Sequence, residues 1–200
     1  MPSSPVAFRW QQRLPTLTTP TVTVRRLRLI DAESLCTLLG SESVKRFILS
    51  PPETVEQFQR FIQWTHAQQN AGRILSFAVV PAGEETAVGL IQVRKDFDCS
   101  MAEWGFVISE RFWGTGLFVA AATSVLTFLF ERVGIQRLEA RTIVENGRGN
   151  GVLEKLGATR EGVLREGLRK DGAPFDQVMW AILASEWAER LAPASRAYPR

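Results

Sequence analysis

The chain has 200 residues, of which 45% are hydrophobic and 22% charged, with a net charge of +3. That balance suits one domain with a sizeable core, and the charge is too small to argue for nucleic acid. Two cysteines, Cys36 and Cys99, lie far apart without metal spacing, and His66 is the single histidine, which argues against a zinc site and for reduced thiols in a cytoplasmic protein.

Residues 1–20 hold four of the ten prolines and read as an extended arm. Met1–Thr19 lacks the continuous apolar core of a signal peptide. Phe8, Trp10 and Leu14 are apolar enough to dock on the domain or on a second copy. Residues 21–185 read as the domain and 186–200 as a turn and tail. Thr21–Leu29 reads as the first strand, and the parity change after Val24 suggests a bulge near Arg25 and Arg26. Arg25, Arg26 and Arg28 look like a solvated basic face. Asp31 is placed to cap a helix over Ala32–Leu39, and Thr54 to cap another over Val55–Ala71. His66 lies on the second helix among glutamines and reads as solvated. Phe47-Ile48-Leu49 in the loop between the helices looks exposed and, with the aromatic arm, hints at a homodimer.

Ile74–Val80 and Thr86–Arg94 read as an antiparallel pair, Phe97–Ser100 as a turn and Met101–Ile108 as a further strand. Leu117–Phe130 carries no charge and is too short to cross a bilayer, so it reads as a buried helix running to Val133. Arg137–Val144 is the returning strand, expected to run parallel to Met101–Ile108. A short helix over Arg148–Leu156, two strands over Ala158–Leu168 and Phe175–Leu183, and a helical turn at Ser185–Leu191 complete the chain.

Ahead of the apolar helix stands Arg111-Phe112-Trp113-Gly114-Thr115-Gly116. Two glycines two apart allow a sharp turn and close approach of a ligand to the main chain. A helix that starts there aims free N–H groups and its dipole at that ligand, which favours an anion such as phosphate. An ordinary strand-to-helix turn accounts for the glycines equally well. The loop lacks the Gly-Lys-Ser/Thr of a Walker motif and the third small residue of a dinucleotide fingerprint.

What remains, Arg-x-x-Gly-x-Gly, resembles the acyl-CoA loop of the GNAT (GCN5-related N-acetyltransferase) superfamily. The Phe-Trp-Gly-x-Gly wording, preceded by Ala102-Glu103-Trp104-Gly105-Phe106, is similar to the RimJ/RimL-type ribosomal-protein acetyltransferase branch. A second block, ENGRGNGVLEKLG over Glu145–Gly157, resembles the family's Asn-x-x-Ser-x-x-Val-Leu-Glu-Lys-Leu-Gly, with Gly149 in place of the serine. The resemblance implies an α/β fold: a mixed, strongly twisted sheet of about seven strands with helices on both faces. A V-shaped opening between Met101–Ile108 and Arg137–Val144 would hold CoA.

The resemblance also implies an acetyl-CoA-dependent N-acetyltransferase that uses direct attack in a ternary complex, without a metal. Its acceptor would be a primary amine, either a protein N-terminal α-amine or a small-molecule amine. CoA would contact the main chain of Phe106, Val107 and Ile108, the loop residues Arg111, Phe112, Trp113, Gly114, Thr115 and Gly116, and Asn146, Arg148 and Asn150. The ring of Trp113 is expected to pack beneath the loop. Asn146 reads equally well as a cap for the short helix.

Glu103 is the candidate base, since a partly shielded carboxylate on this strand suits proton acceptance. An ion pair with an arginine on a neighbouring strand is its alternative role. Many relatives place a tyrosine as proton donor after the second block, whereas the single tyrosine here is Tyr198 in the tail. That vacancy keeps a second reading open, a non-catalytic acyl-CoA sensor or interaction module.

Overall fold

The computed structural model of the protein describes residues 10–96 and 100–192. Its strands are β1 (Leu17–Thr18), β2 (Val22–Arg26), β3 (Ile74–Pro81), β4 (Gly89–Lys95), β5 (Met101–Ile108), β6 (Arg137–Ile143), β7 (Thr159–Lys170) and β8 (Ala173–Leu183). Its helices are α1 (Asp31–Leu39), α2 (Glu42–Lys45), α3 (Val55–Asn70), α4 (Leu117–Phe128), α5 (Gly147–Lys155) and α6 (Ala184–Leu191). The strands form one mixed sheet of eight, ordered β1-β2-β3-β4-β5-β6-β8-β7. The strand beyond the expected seven is β1, which pairs Leu17 with Val24 and Thr18 with Thr23.

Every residue of β3 is buried, which a strand covered on both faces requires and its near-continuous apolar run supplies. On one face Phe77, Ile91 and Trp104 pack with Phe118, Val125 and Leu126 of α4, together with Leu153 of α5 and Trp187 of α6. On the other face Ala78, Val80 and Leu90 pack with Leu35 of α1 and with Phe58 and Ile62 of α3. Burial explains why α4 is apolar nearly all round. It widens into a π turn over Leu129–Val133, and Gly134 closes it at φ +83°. Trp10 and Leu14 are buried in the first core, so the described part of the N-terminal arm belongs to the domain. Phe8, Cys99 and the tail from residue 193 lie outside the described residues, as does most of the expected turn at Phe97–Ser100.

Four local readings change. The ladder of β2 with β3 runs without a break from Val22↔Pro81 to Arg26↔Phe77, so there is no bulge. The parity change arises because the strand ends at Arg26 and Leu27 turns into the α1–α3 core. Arg25 is not part of a solvated face: its guanidinium forms a two-pronged pair with Asp31, both bonds at 2.8 Å, and both residues are buried. Asp31 is therefore no helix cap. It is the first residue of α1, and it also accepts the Arg28 and Ala87 N–H groups. His66 is part-buried, and its Nε2 donates to the Leu27 carbonyl at 2.8 Å.

Thr54 does cap α3, accepting the Gln57 N–H at 3.2 Å. Gly89 fixes how the end of β5 is held. A Cβ there would stand 2.5 Å from the Val107 carbonyl oxygen and 2.9 Å from Ile108 Cα, so only glycine allows this approach.

Candidate functional site

Strands β5 and β6 run parallel but share only three rungs, Met101↔Arg137, Ala102↔Leu138 and Glu103↔Glu139. Beyond them β5 stays paired with β4 as far as Ile108, and β6 with β8 as far as Ile143. From Trp104 onward β5 thus has a strand on one edge and none on the other. The main chain of Phe106, Val107 and Ile108 lies along that open edge. The Phe106 ring turns away, 4.9 Å from Trp104 and 4.6 Å from Phe118 between ring centroids.

The loop from Arg111 to Gly116 closes the end of the split. Gly114 and Gly116 have φ of +75° and +82°, which only glycine adopts readily. A Cβ on either would meet nothing within 4 Å, so both open onto free space. Gly116 is the N-cap of α4 and has no side chain to cap it. Thr115 Oγ1 donates to the Phe112 carbonyl and accepts the Leu117 N–H. Phe118 and Val119 follow in the first turn, where N–H groups have no acceptor within the helix. Arg111, Gly114, Thr115 and Gly116 are exposed. Phe112 and Trp113 pack against the core beneath the loop, as expected for Trp113, whose Nε1 donates to the Ile108 carbonyl at 3.2 Å.

The second block meets the loop through Arg148. Its guanidinium carbon stands 4.2 Å from the centroid of the Trp113 ring. Asn146 caps α5, its Oδ1 accepting the Gly149 N–H at 3.0 Å. A Cβ at position 149 would fall 2.6 Å from Asn146 Nδ2, so glycine there and asparagine as the cap go together. Asn150, expected to reach CoA, is also engaged by the protein. Its amide group donates to the carbonyls of Ile143, Val144 and Asn146, and its Oδ1 accepts from Trp180 Nε1 at 2.9 Å. These bonds fix its side chain between α5, the end of β6 and β8.

Glu103 faces the side of the sheet that carries α1 and α3, in register with Arg94 of β4 and Glu139 of β6. Its Oε2 accepts from Arg94 Nη2 at 2.5 Å, the ion pair that was its alternative role. Arg137 donates to Glu139 at 2.7 Å and to both oxygens of Glu161 at 2.8 and 2.5 Å. Hydrogen bonds to Glu161 and then Glu139 raise the Arg137 pKa, and the Glu161 carboxyl is held below its ordinary value chiefly by its hydrogen bond to Arg137.

Two contacts at the rim have no signal in the sequence. Ser43 of α2 hydrogen-bonds Glu110, the residue before Arg111. Lys170, at the tip of the β7–β8 hairpin, donates to the carbonyls of Lys45 and Arg46 at 2.7 and 2.9 Å. The α2 segment is thereby tied to the loop on one side and to the hairpin on the other.

Among the described residues no group of three or more His, Cys, Asp or Glu is placed to hold a metal ion, and no helix is long and apolar enough to cross a membrane.

The domain family described as Acetyltransferase (GNAT) domain matches residues 21–159. An uncharacterized N-acetyltransferase of Bacillus licheniformis, p20, is 26% identical over 175 residues, covering 86% of this chain and 98% of that protein. The [ribosomal protein uS5]-alanine N-acetyltransferase of Escherichia coli (strain K12) is 29% identical over 83 residues, 42% of this chain and 43% of that protein. The crystal structure of the Microcin C7 self immunity acetyltransferase MccE, in complex with acetyl-CoA and AMP, shares the fold at a TM-score of 0.74 and 20% identity, over 82% of this chain and 93% of that one. The split sheet, the loop before α4 and the family match over residues 21–159 agree: this chain belongs to the GNAT acetyltransferase family and is an N-acetyltransferase.

Proposed function

We propose that the protein transfers an acetyl group from acetyl-CoA to a primary amine, by direct attack in a ternary complex. One observation carries this reading. The edge of β5 left open at the split leads to a loop with two glycines at positive φ, which leads to the first turn of α4, where Thr115 accepts only the Leu117 N–H. Exposed main-chain N–H groups and a helix dipole at one point suit a pyrophosphate. The open space at Gly114 and Gly116 leaves room for it. The free edge of β5 from Gly105 to Ile108 suits the amide groups of a pantetheine arm, as an added pseudo-strand.

Acetyl-CoA, when bound, supplies the thioester carbon that the amine nitrogen attacks. The chain's own work is to place that amine and to move protons. An amine arriving as ammonium must lose one proton before attack, and Glu103 is the group we assign to take it. Arg94 fixes its carboxylate. The second proton leaves the nitrogen as the C–N bond forms and the C–S bond breaks, and it balances the thiolate. No tyrosine among the described residues takes the donor role, so water or the ammonium itself serves.

The acceptor enters from the α1–α3 face, between the α2 segment and the β7–β8 hairpin. The name of the Escherichia coli relative supports a protein N-terminus as acceptor. The test is acetyl-CoA consumption with a panel of primary amines, including peptides with varied free N-termini. Turnover of one class of amine supports the reading. Tight acetyl-CoA binding without turnover of any amine favours a sensor instead.

A further inference from the structure

Glu139 stands beside Glu103 at the last rung before β5 and β6 part. Residues in register on adjacent strands are about 5 Å apart at Cα, and like charges placed so repel one another. Each carboxylate here leans on its own arginine, Glu103 on Arg94 and Glu139 on Arg137, which also holds Glu161. Two arginines thus pair with three carboxylates, and this paired set carries one net negative charge. Arg141, next on this face of β6, lies past the last shared rung and forms no ion pair among the described residues. The side chains of Glu103 and Glu139 keep 31% and 18% of their exposure, so both are shielded yet reachable.

We infer that Glu139 is an acceptor-binding carboxylate. It and Glu103 hold the incoming amine as its ammonium ion, and the enzyme selects cationic primary amines over neutral or acidic acceptors. The acceptor ammonium brings the positive charge that balances the paired set. Glu103 then takes the ammonium proton while Glu139 keeps the nitrogen in place, a division of labour that the register of the two strands allows. This inference rests on the acetyl-transfer reading above.

The test is steady-state kinetics of the full chain on a panel of primary amines and free-N-terminus peptides. For the amine that wild type turns over best, Glu139→Gln is expected to raise the amine KM by at least about tenfold, with a smaller change in kcat and none in the KM for acetyl-CoA. Glu139→Asp, which keeps the charge, is expected to recover part of that loss. Glu161→Gln removes one charge from the paired set but keeps both acceptor carboxylates, so its amine KM is expected to rise only about two- to threefold. An unchanged amine KM in Glu139→Gln, or an equal rise in Glu161→Gln, overturns the inference while leaving acetyl transfer standing. Failure of wild type to acetylate any amine overturns the acetyl-transfer reading, and this inference with it.

Discussion

The guanidinium of Arg148 lies over the Trp113 ring, 4.2 Å from its centroid, and so joins α5 to the loop ahead of α4. A cation held this way keeps its donors free for a ligand. If they meet the 3′-phosphate of CoA, Arg148→Ala weakens acetyl-CoA binding by about tenfold and leaves dephospho-CoA binding unchanged. Calorimetric titration with both ligands checks this. Equal losses for both would show that Arg148 acts by steadying Trp113 and the loop.

The buried Arg25–Asp31 pair governs stability. Asp31 also accepts two main-chain N–H groups, so removing it leaves a buried guanidinium without its counter-charge, held only by the Arg26 and Glu85 carbonyls, and two N–H donors without an acceptor. Asp31→Ala is expected to cost about 3–5 kcal/mol. The urea unfolding midpoint measures it, and a loss below about 1 kcal/mol would show that the arginine finds water or another partner.

Glu103 is the proposed base, so Glu103→Gln is expected to lower kcat about a hundredfold with little change in acetyl-CoA affinity. Single-turnover rates with saturating amine provide the measurement. An unaltered rate would assign the proton to a water chain, with Glu103 left as the partner of Arg94.

Acid sensitivity follows from Glu161. Arg137 lowers its folded-state pKa, so its contribution to stability is present above the unfolded pKa and is lost as pH falls through the folded value. The pair is partly exposed, so the effect is small. Glu161→Gln is expected to be less stable than wild type at about pH 7, with the gap closing as pH falls through the lowered Glu161 value. Urea midpoints followed from neutral pH into acid decide it. A gap that persists in acid would point to lost packing.

The sequence showed the parts of the site that depend on chain neighbours. The run Leu117–Phe130 could only be a buried helix, and Gly114 and Gly116 marked the turn into it. The cap at Thr54 and the strand Met101–Ile108 were legible for the same reason. What stayed hidden depends on partners brought together by the fold. Asp31 has the composition of a cap, yet its fate is set by Arg25 and Ala87. Asn150 sits inside the second block, yet Trp180 and three carbonyls occupy it. Lys170 meets the carbonyls of Lys45 and Arg46, a contact made by the main chain of one partner and therefore without a residue signature. The short strand β1 was hidden for a further reason: two residues among prolines carry no periodicity, and it exists because β2 offers an edge.

The account stands on the loop before α4 as a pyrophosphate cradle. The most direct measurement is calorimetric titration of acetyl-CoA into wild type and into Gly114→Asp. At Gly114 a side chain would be strained at φ +75° and would put negative charge where phosphates are expected to sit. The account predicts tight binding to wild type and none to the variant, with both proteins folded by circular dichroism. Undiminished binding by folded Gly114→Asp would contradict it and move the donor site away from this loop.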